Sequence, residues 1–133
     1  MTTIENARIL IVEDERTIAF TLAQALRRAP DAHLSVDVCY TAYEALALLT
    51  VYRFQLVLSD LRLPGMSGLE LIAQIRRSYP TTRTILMTGF GSTEVEAKAK
   101  LLSDAYLAKP FEMTEVLKLV RELIRPRSSN STL

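Results

Sequence analysis

Five short apolar runs, each followed by a stretch with helical spacing, constrain the fold of this chain more than any other feature. From Arg8 to Val12 the first run is apolar on both faces, which a strand tolerates only when packed layers cover both of them. Ile18, Leu22, Ala25 and Leu26 then recur at helical intervals between Glu15 and Arg28, ahead of Pro30. Ser35 to Tyr40 alternates Val36 and Val38 with polar neighbours, as a strand nearer a sheet edge does. Phe54 to Ser59, Thr84 to Thr88 and Ala105 to Ala108 read as three further strands. Thr41-Ala-Tyr-Glu44, Ser67-Gly-Leu-Glu70 and Thr93-Glu-Val-Glu96 each carry a hydroxyl and, three residues on, a carboxylate, the capping-box signature of a helix start. Val116, Leu117, Val120, Leu123 and Ile124 line one face of a closing helix that Pro126 stops. Strands separated by helices of this length require right-handed crossovers, so the expected fold is a doubly wound α/β sandwich around a parallel sheet.

Composition narrows the class without naming a function. A chain of 133 residues that is 49% hydrophobic and 23% charged suits one globular domain with a real core. A net charge of +1 gives no electrostatic reason to expect direct binding to nucleic acid or an acidic membrane. The single cysteine, Cys39, cannot form an internal disulfide and reads as a small buried filler, which fits a reducing compartment. No apolar stretch approaches the ~20 residues of a membrane span, and the first residues lack the regions of a signal peptide, so the cytoplasm is the expected location. Residues 1–125 are expected to form the domain, and 126–133 a polar tail or the start of a linker.

The chemistry concentrates at strand ends. Glu13-Asp14 follows the first run, Asp60 follows the third, and Lys109-Pro110 follows the fifth. In a parallel sheet these carboxyl ends meet at one crevice, where open α/β sheets bind their ligands. Acids facing one lysine there form a metal and phosphate site. Three crowded carboxylates repel one another, and a hard divalent cation that takes oxygen ligands is the natural neutraliser.

Glu13-Asp14, Asp60, Thr88, Tyr106 and Lys109-Pro110, in that order along Ala7 to Ile124, resemble the receiver domain of two-component response regulators. The resemblance implies a flavodoxin-like sheet with strand order 2-1-3-4-5 and helices on both faces. It implies that Asp60 accepts a phosphoryl group, that Asp14, helped by Glu13, holds magnesium, and that the Arg62 backbone carbonyl completes the metal set. Manganese is admitted as a substitute. Lys109 and Thr88 would receive the phosphoryl oxygens, Tyr106 would act as the switch, and Pro110 fits a cis peptide that aims Lys109 into the crevice. Implied partners are a sensor histidine kinase or phosphotransfer protein as donor and an output protein or domain downstream. A phosphorylation-dependent homodimer through the face of helix four, strand five and helix five is consistent with the family. Such a chain catalyses its own modification and slow hydrolysis and is a switch more than a metabolic enzyme.

Two positions depart from that pattern. Leu102-Ser103 stands where the family commonly has Gly-Ala, and bulky Phe90, two beyond Thr88, is expected to shield the acyl phosphate from water. Rival readings fit less well. A haloacid-dehalogenase-type phosphatase wants a second acid two residues past its nucleophile, where this chain has Arg62. A flavodoxin-like nucleotide binder wants a phosphate cradle after strand one, where Glu13-Asp14-Glu15 would repel phosphate. A pseudo-receiver acting only as an interaction module shares everything except the chemistry. The sequence contains no recognisable output segment, and both a stand-alone regulator and part of a longer protein fit it.

Overall fold

The computed structural model describes residues 4–30, 32–89 and 93–125, and the side chains from Asn6 onward. Phe90 and the tail from residue 126 lie outside the described residues, as do the expectations attached to them. Five strands alternate with five helices: β1 (Ile4–Val12), α1 (Arg16–Arg27), β2 (Ala32–Cys39), α2 (Ala42–Val51), β3 (Leu56–Asp60), α3 (Gly68–Ser78), β4 (Arg83–Thr88), α4 (Thr93–Leu102), β5 (Ala105–Ala108) and α5 (Met113–Ile124). All pairings are parallel, and the order across the sheet is β2-β1-β3-β4-β5.

The two-residue period of a strand explains why the central runs are apolar throughout. Ile9, Ile11, Leu56, Leu58, Ile85 and Met87 pack with Leu22, Leu26, Val116 and Val120 of α1 and α5. Their neighbours Leu10, Val12, Val57 and Leu86 point the other way, against Ala45, Leu49, Leu71, Ile72, Ile75 and Ala99 of α2, α3 and α4. Most of these side chains are fully buried, and each of the larger ones contributes about 1.5–3 kcal/mol of transfer free energy. The layer over β4 and β5 is thinner, because Ala99 is the only α4 residue that is buried.

Several boundaries differ from the pattern in the sequence. β1 starts at Ile4, four residues earlier than its apolar run, because Ile4 and Ala7 pair with Ala32 and Leu34 of β2 on either side of a register shift; Asn6 there adopts φ 54°. β2 likewise starts at Ala32, so His33 lies exposed on a strand and not in a loop. Phe54 is buried but precedes β3, whose last residue is Asp60 itself. The capping boxes at Thr41 and Ser67 form, with Glu44 and Glu70 returning the second bond. The third box does not stand where the pattern puts it: Thr93 is already the first residue of α4, so its hydroxyl is not at the N-cap.

Leu102 occupies ordinary backbone, since Asn6 is the only non-glycine with positive φ among the described residues. The α4–β5 connection therefore manages without glycine. Its carbonyls are held from outside instead: Arg76 Nη1 of α3 donates to Leu102 O at 3.1 Å and Leu101 O at 3.4 Å, and the Ser103 hydroxyl donates to Ala99 O.

Candidate functional site

Register alone gathers the predicted site. Val12 pairs with Ser59, Asp60 with Met87, and Thr88 with Ala108, so Glu13, Asp60, Thr88 and Lys109 line up along one edge of the sheet. Lys109 Nζ donates to Glu13 Oε1 at 2.9 Å and lies 3.0 Å from Asp60 Oδ1. The Lys109–Pro110 peptide bond is cis. Glu13 is fully buried, Asp60 is 7% exposed, and Asp14 faces solvent. The second Glu13 oxygen, Oε2, accepts the Glu15 backbone N–H at 3.0 Å and folds the β1–α1 turn around Asp14.

Glu13, Asp14 and Asp60 can each offer a carboxylate oxygen within 4.8 Å of the others. Three acids against one ammonium leave two negative charges in this cluster, the charge that one divalent cation balances. The donors are hard oxygens, as magnesium prefers. Burial pushes the Glu13 carboxyl above its ordinary value although Lys109 opposes it, and the same balance raises Asp60. Desolvation pulls Lys109 down, but its bonds to Glu13 and Asp60 outweigh this and hold it above the usual lysine value. Lys109 is therefore charged throughout the neutral range.

Beside the cluster opens a cavity of about 710 Å³ that also reaches Arg62, Thr88, Ile18, Phe111 and Met113. Thr88 is buried at the end of β4. It lies two positions beyond Leu86, the β4 partner of Tyr106, so strand alternation puts Thr88 and Tyr106 on the same side of the sheet. Tyr106 packs partly buried against the α2–α3–α4 layer. Its hydroxyl donates to Glu96 Oε2 of α4 at 3.0 Å, and Lys100 Nζ lies 5.6 Å from its ring centre. Arg62 is exposed at the cavity wall.

Two residues of this neighbourhood escaped sequence reading. The sequence marks Glu96 only as the carboxylate of a helix start, and nothing in it points to the bond that Tyr106 of β5 donates to it. Gly68 looks like part of a capping box, yet it also meets the end of β3 directly.

Comparison with known proteins agrees with this geometry. The response regulator receiver domain family model matches residues 9–121. FleR of Pseudomonas aeruginosa, a response regulator protein, is 39% identical over 116 residues, which cover 86% of this chain and 24% of FleR. The signal receiver domain of an HD domain-containing protein from Pseudomonas fluorescens Pf-5 superposes with a TM-score of 0.83 at 33% identity, covering 90% of this chain and 94% of that one. TrrA of Thermotoga maritima, solved in complex with Mg2+-BeF, gives a TM-score of 0.79 at 29% identity over 89% of this chain and 99% of its own. This chain belongs to the response regulator receiver domain family, the phosphorylation-dependent signalling switches of two-component systems. Receiver domains bind magnesium at an acidic pocket and work between sensor kinases and output domains. The chain spans about a quarter to a half of the length of the curated relatives it matches.

Proposed function

We propose that Asp60 accepts a phosphoryl group from the phosphohistidine of a sensor kinase or phosphotransfer protein, with magnesium held by Asp14, helped by Glu13, together with Asp60 and the Arg62 carbonyl. The observation that carries this reading is the Lys109 ammonium between Glu13 and Asp60 at the mouth of an open cavity. Phosphoryl transfer asks a protein for positioning and charge stabilisation more than for covalent help. An Asp60 carboxylate oxygen forms the new P–O bond as the P–N bond of the donor breaks, and the electron pair returns to the imidazole nitrogen. Lys109, already 3.0 Å from Asp60, shares its charge with the incoming phosphoryl oxygens without travelling. When bound, magnesium neutralises the crowded carboxylates and the developing phosphoryl charge; manganese serves the same oxygen donors.

Glu13, expected to help Asp14 hold the metal, offers an oxygen to the same acidic cluster and has structural bonds as well. With one oxygen on Lys109 and the other on the Glu15 amide, it orients the lysine and the turn that presents Asp14. The apolar part of the cavity, with Ile18, Phe111 and Met113, suits a donor protein that must bring a histidine ring against Asp60 while excluding water.

Downstream, the Thr88 hydroxyl meets a phosphoryl oxygen, and the Tyr106 ring follows it inward. Tyr106 then gives up its bond to Glu96, which changes the α4–β5–α5 surface read by an output protein or a second copy of the chain. A cytoplasmic setting fits this role; among the described residues no helix is long and apolar enough to cross a membrane. Incubation with a small acyl phosphate, with and without magnesium, followed by intact-mass measurement tests the reading. The parent should gain one phosphoryl mass only with metal, and Asp60→Asn should gain none. Equal labelling of both chains would point to another acceptor, and no labelling of either would leave a pseudo-receiver as the better account.

A further inference from the structure

We infer that Gly68 is a positioning residue for phosphoryl chemistry, because α3 can dock on the end of β3 only if its first residue has no side chain. The inference rests on Asp60 being the phosphoacceptor and on the Arg62 carbonyl belonging to the metal set. A Cβ built on Gly68 would fall inside the van der Waals shell of the Asp60 carbonyl oxygen, with the Asp60 carbonyl carbon at 2.9 Å and Leu61 Cα at 3.0 Å. All three atoms are backbone, so no rotamer change relieves the overlap.

Glycine is needed here for close approach alone, since Gly68 is not among the positive-φ residues. The chain closes the same ring with a hydrogen bond, as the Gly68 N–H donates to Leu61 O at 2.9 Å. Residues 62–67 are thus a loop whose two ends are pinned together directly behind the Asp60 side chain. Ser67 and Glu70 lock the helix end by their reciprocal caps, so α3 cannot unwind a turn to make room. Leu71, Ile72 and Ile75 are fully buried and fix the rest of the helix against the sheet.

A methyl group at residue 68 must therefore move the β3 end and the loop, carrying Asp60 and the Arg62 carbonyl with them. Displacements of about 1 Å at a reacting group cost on the order of a hundredfold in rate. Gly68 acts through Asp60 and Arg62 and touches no reactant.

The test compares the parent, Gly68→Ala, Ser67→Ala and Leu71→Ala. Ser67→Ala removes a cap on the same helix end without adding an atom toward Asp60, and Leu71→Ala weakens α3 from its buried face. Each is assayed for magnesium affinity, by amide chemical shifts of residues 60–62, and for phosphorylation rate with a small acyl phosphate. Gly68→Ala should bind magnesium at least tenfold more weakly and label at least tenfold more slowly. The two other variants should melt at lower temperature yet keep the parent's affinity and rate within about twofold.

Parent-like behaviour of a folded Gly68→Ala, or equal losses in Leu71→Ala, would overturn the inference. If Gly68→Ala is unfolded at room temperature, the titration is repeated in the cold with trimethylamine N-oxide. A chain that still fails to fold there would make Gly68 a residue of the fold and sink the positioning role. A parent that takes no phosphoryl group would overturn the phosphoacceptor reading instead, which separates the two failures.

Discussion

Removing the Glu96 carboxylate should shift the resting population of Tyr106 without touching the phosphorylation site. The Tyr106 hydroxyl donates to Glu96 Oε2 at 3.0 Å, a bond between a partly buried ring and an ionised acceptor on α4. Burial, then the Glu96 bond itself, raises the tyrosine above its ordinary value, so the phenol stays protonated and remains the donor at neutral pH. Hydrogen bonds to charged groups are worth ~1.5–3 kcal/mol net, and partial exposure of this pair brings the figure down to about 1 kcal/mol. That corresponds to roughly a fivefold change in an equilibrium constant. If the inward arrangement of Tyr106 holds about 1% of unphosphorylated molecules, Glu96→Ala should raise it to about 5%. Alanine is the best helix former, which offsets the loss of a first-turn acid from α4. Ring NMR signals of Tyr106 in the unphosphorylated protein, placed on the line between resting and phosphorylated shifts, read the population. Shifts in Glu96→Ala that stay on the parent's resting position would refute the idea that this bond holds the ring outward.

The buried charges give three more expected outcomes. Lys109→Met strands Glu13 and Asp60 without their cation, and because Lys109 is one-fifth exposed the cost should be about 2–3 kcal/mol, below the full penalty of a broken buried pair. Urea unfolding should show that cost near neutral pH and a smaller one near pH 5, where the stranded acids take up protons. In the metal-free parent, Glu13 and Asp60 already sit above their ordinary values, so the folded state holds their protons more tightly than the unfolded chain. Their favourable contribution is complete below the unfolded carboxyl range and is lost as pH rises through the raised folded values. Magnesium, which needs the ionised oxygens, should therefore raise the melting temperature more at about pH 8 than at about pH 5. Cys39, whose thiol burial pushes up to about 12, should resist iodoacetamide at mildly alkaline pH until urea unfolds the chain, as mass spectrometry would show.

The parts of this molecule that could be read from sequence are those governed by local period. Apolar runs at β1 and β3, helical spacing in α1 and α5 and the caps at Thr41 and Ser67 all reflect neighbours within a few residues. The beginnings of β1 and β2 were invisible because pairing with each other, and not a continuous apolar run, makes them strands. The start of α4 was misplaced because a hydroxyl followed by a carboxylate marks a helix start without fixing which residue is the cap. Site acids could be listed because each terminates a strand, but their division of labour could not. Glu13 joins Lys109 across 96 positions, Tyr106 joins Glu96 across a connection, and Arg76 supports the α4 end across 26. Gly68 was read as part of a cap, since a close approach between backbones leaves no mark in composition beyond the glycine itself.

Trapping the acceptor chemically examines the central claim most directly. After brief exposure to a small acyl phosphate and magnesium, borohydride reduction converts an aspartyl phosphate to homoserine, which peptide mapping then locates. The account predicts homoserine at residue 60 alone, and only in samples that contained metal. Homoserine at another aspartate, hydroxynorvaline at a glutamate, or the absence of homoserine under conditions where magnesium binds would contradict it.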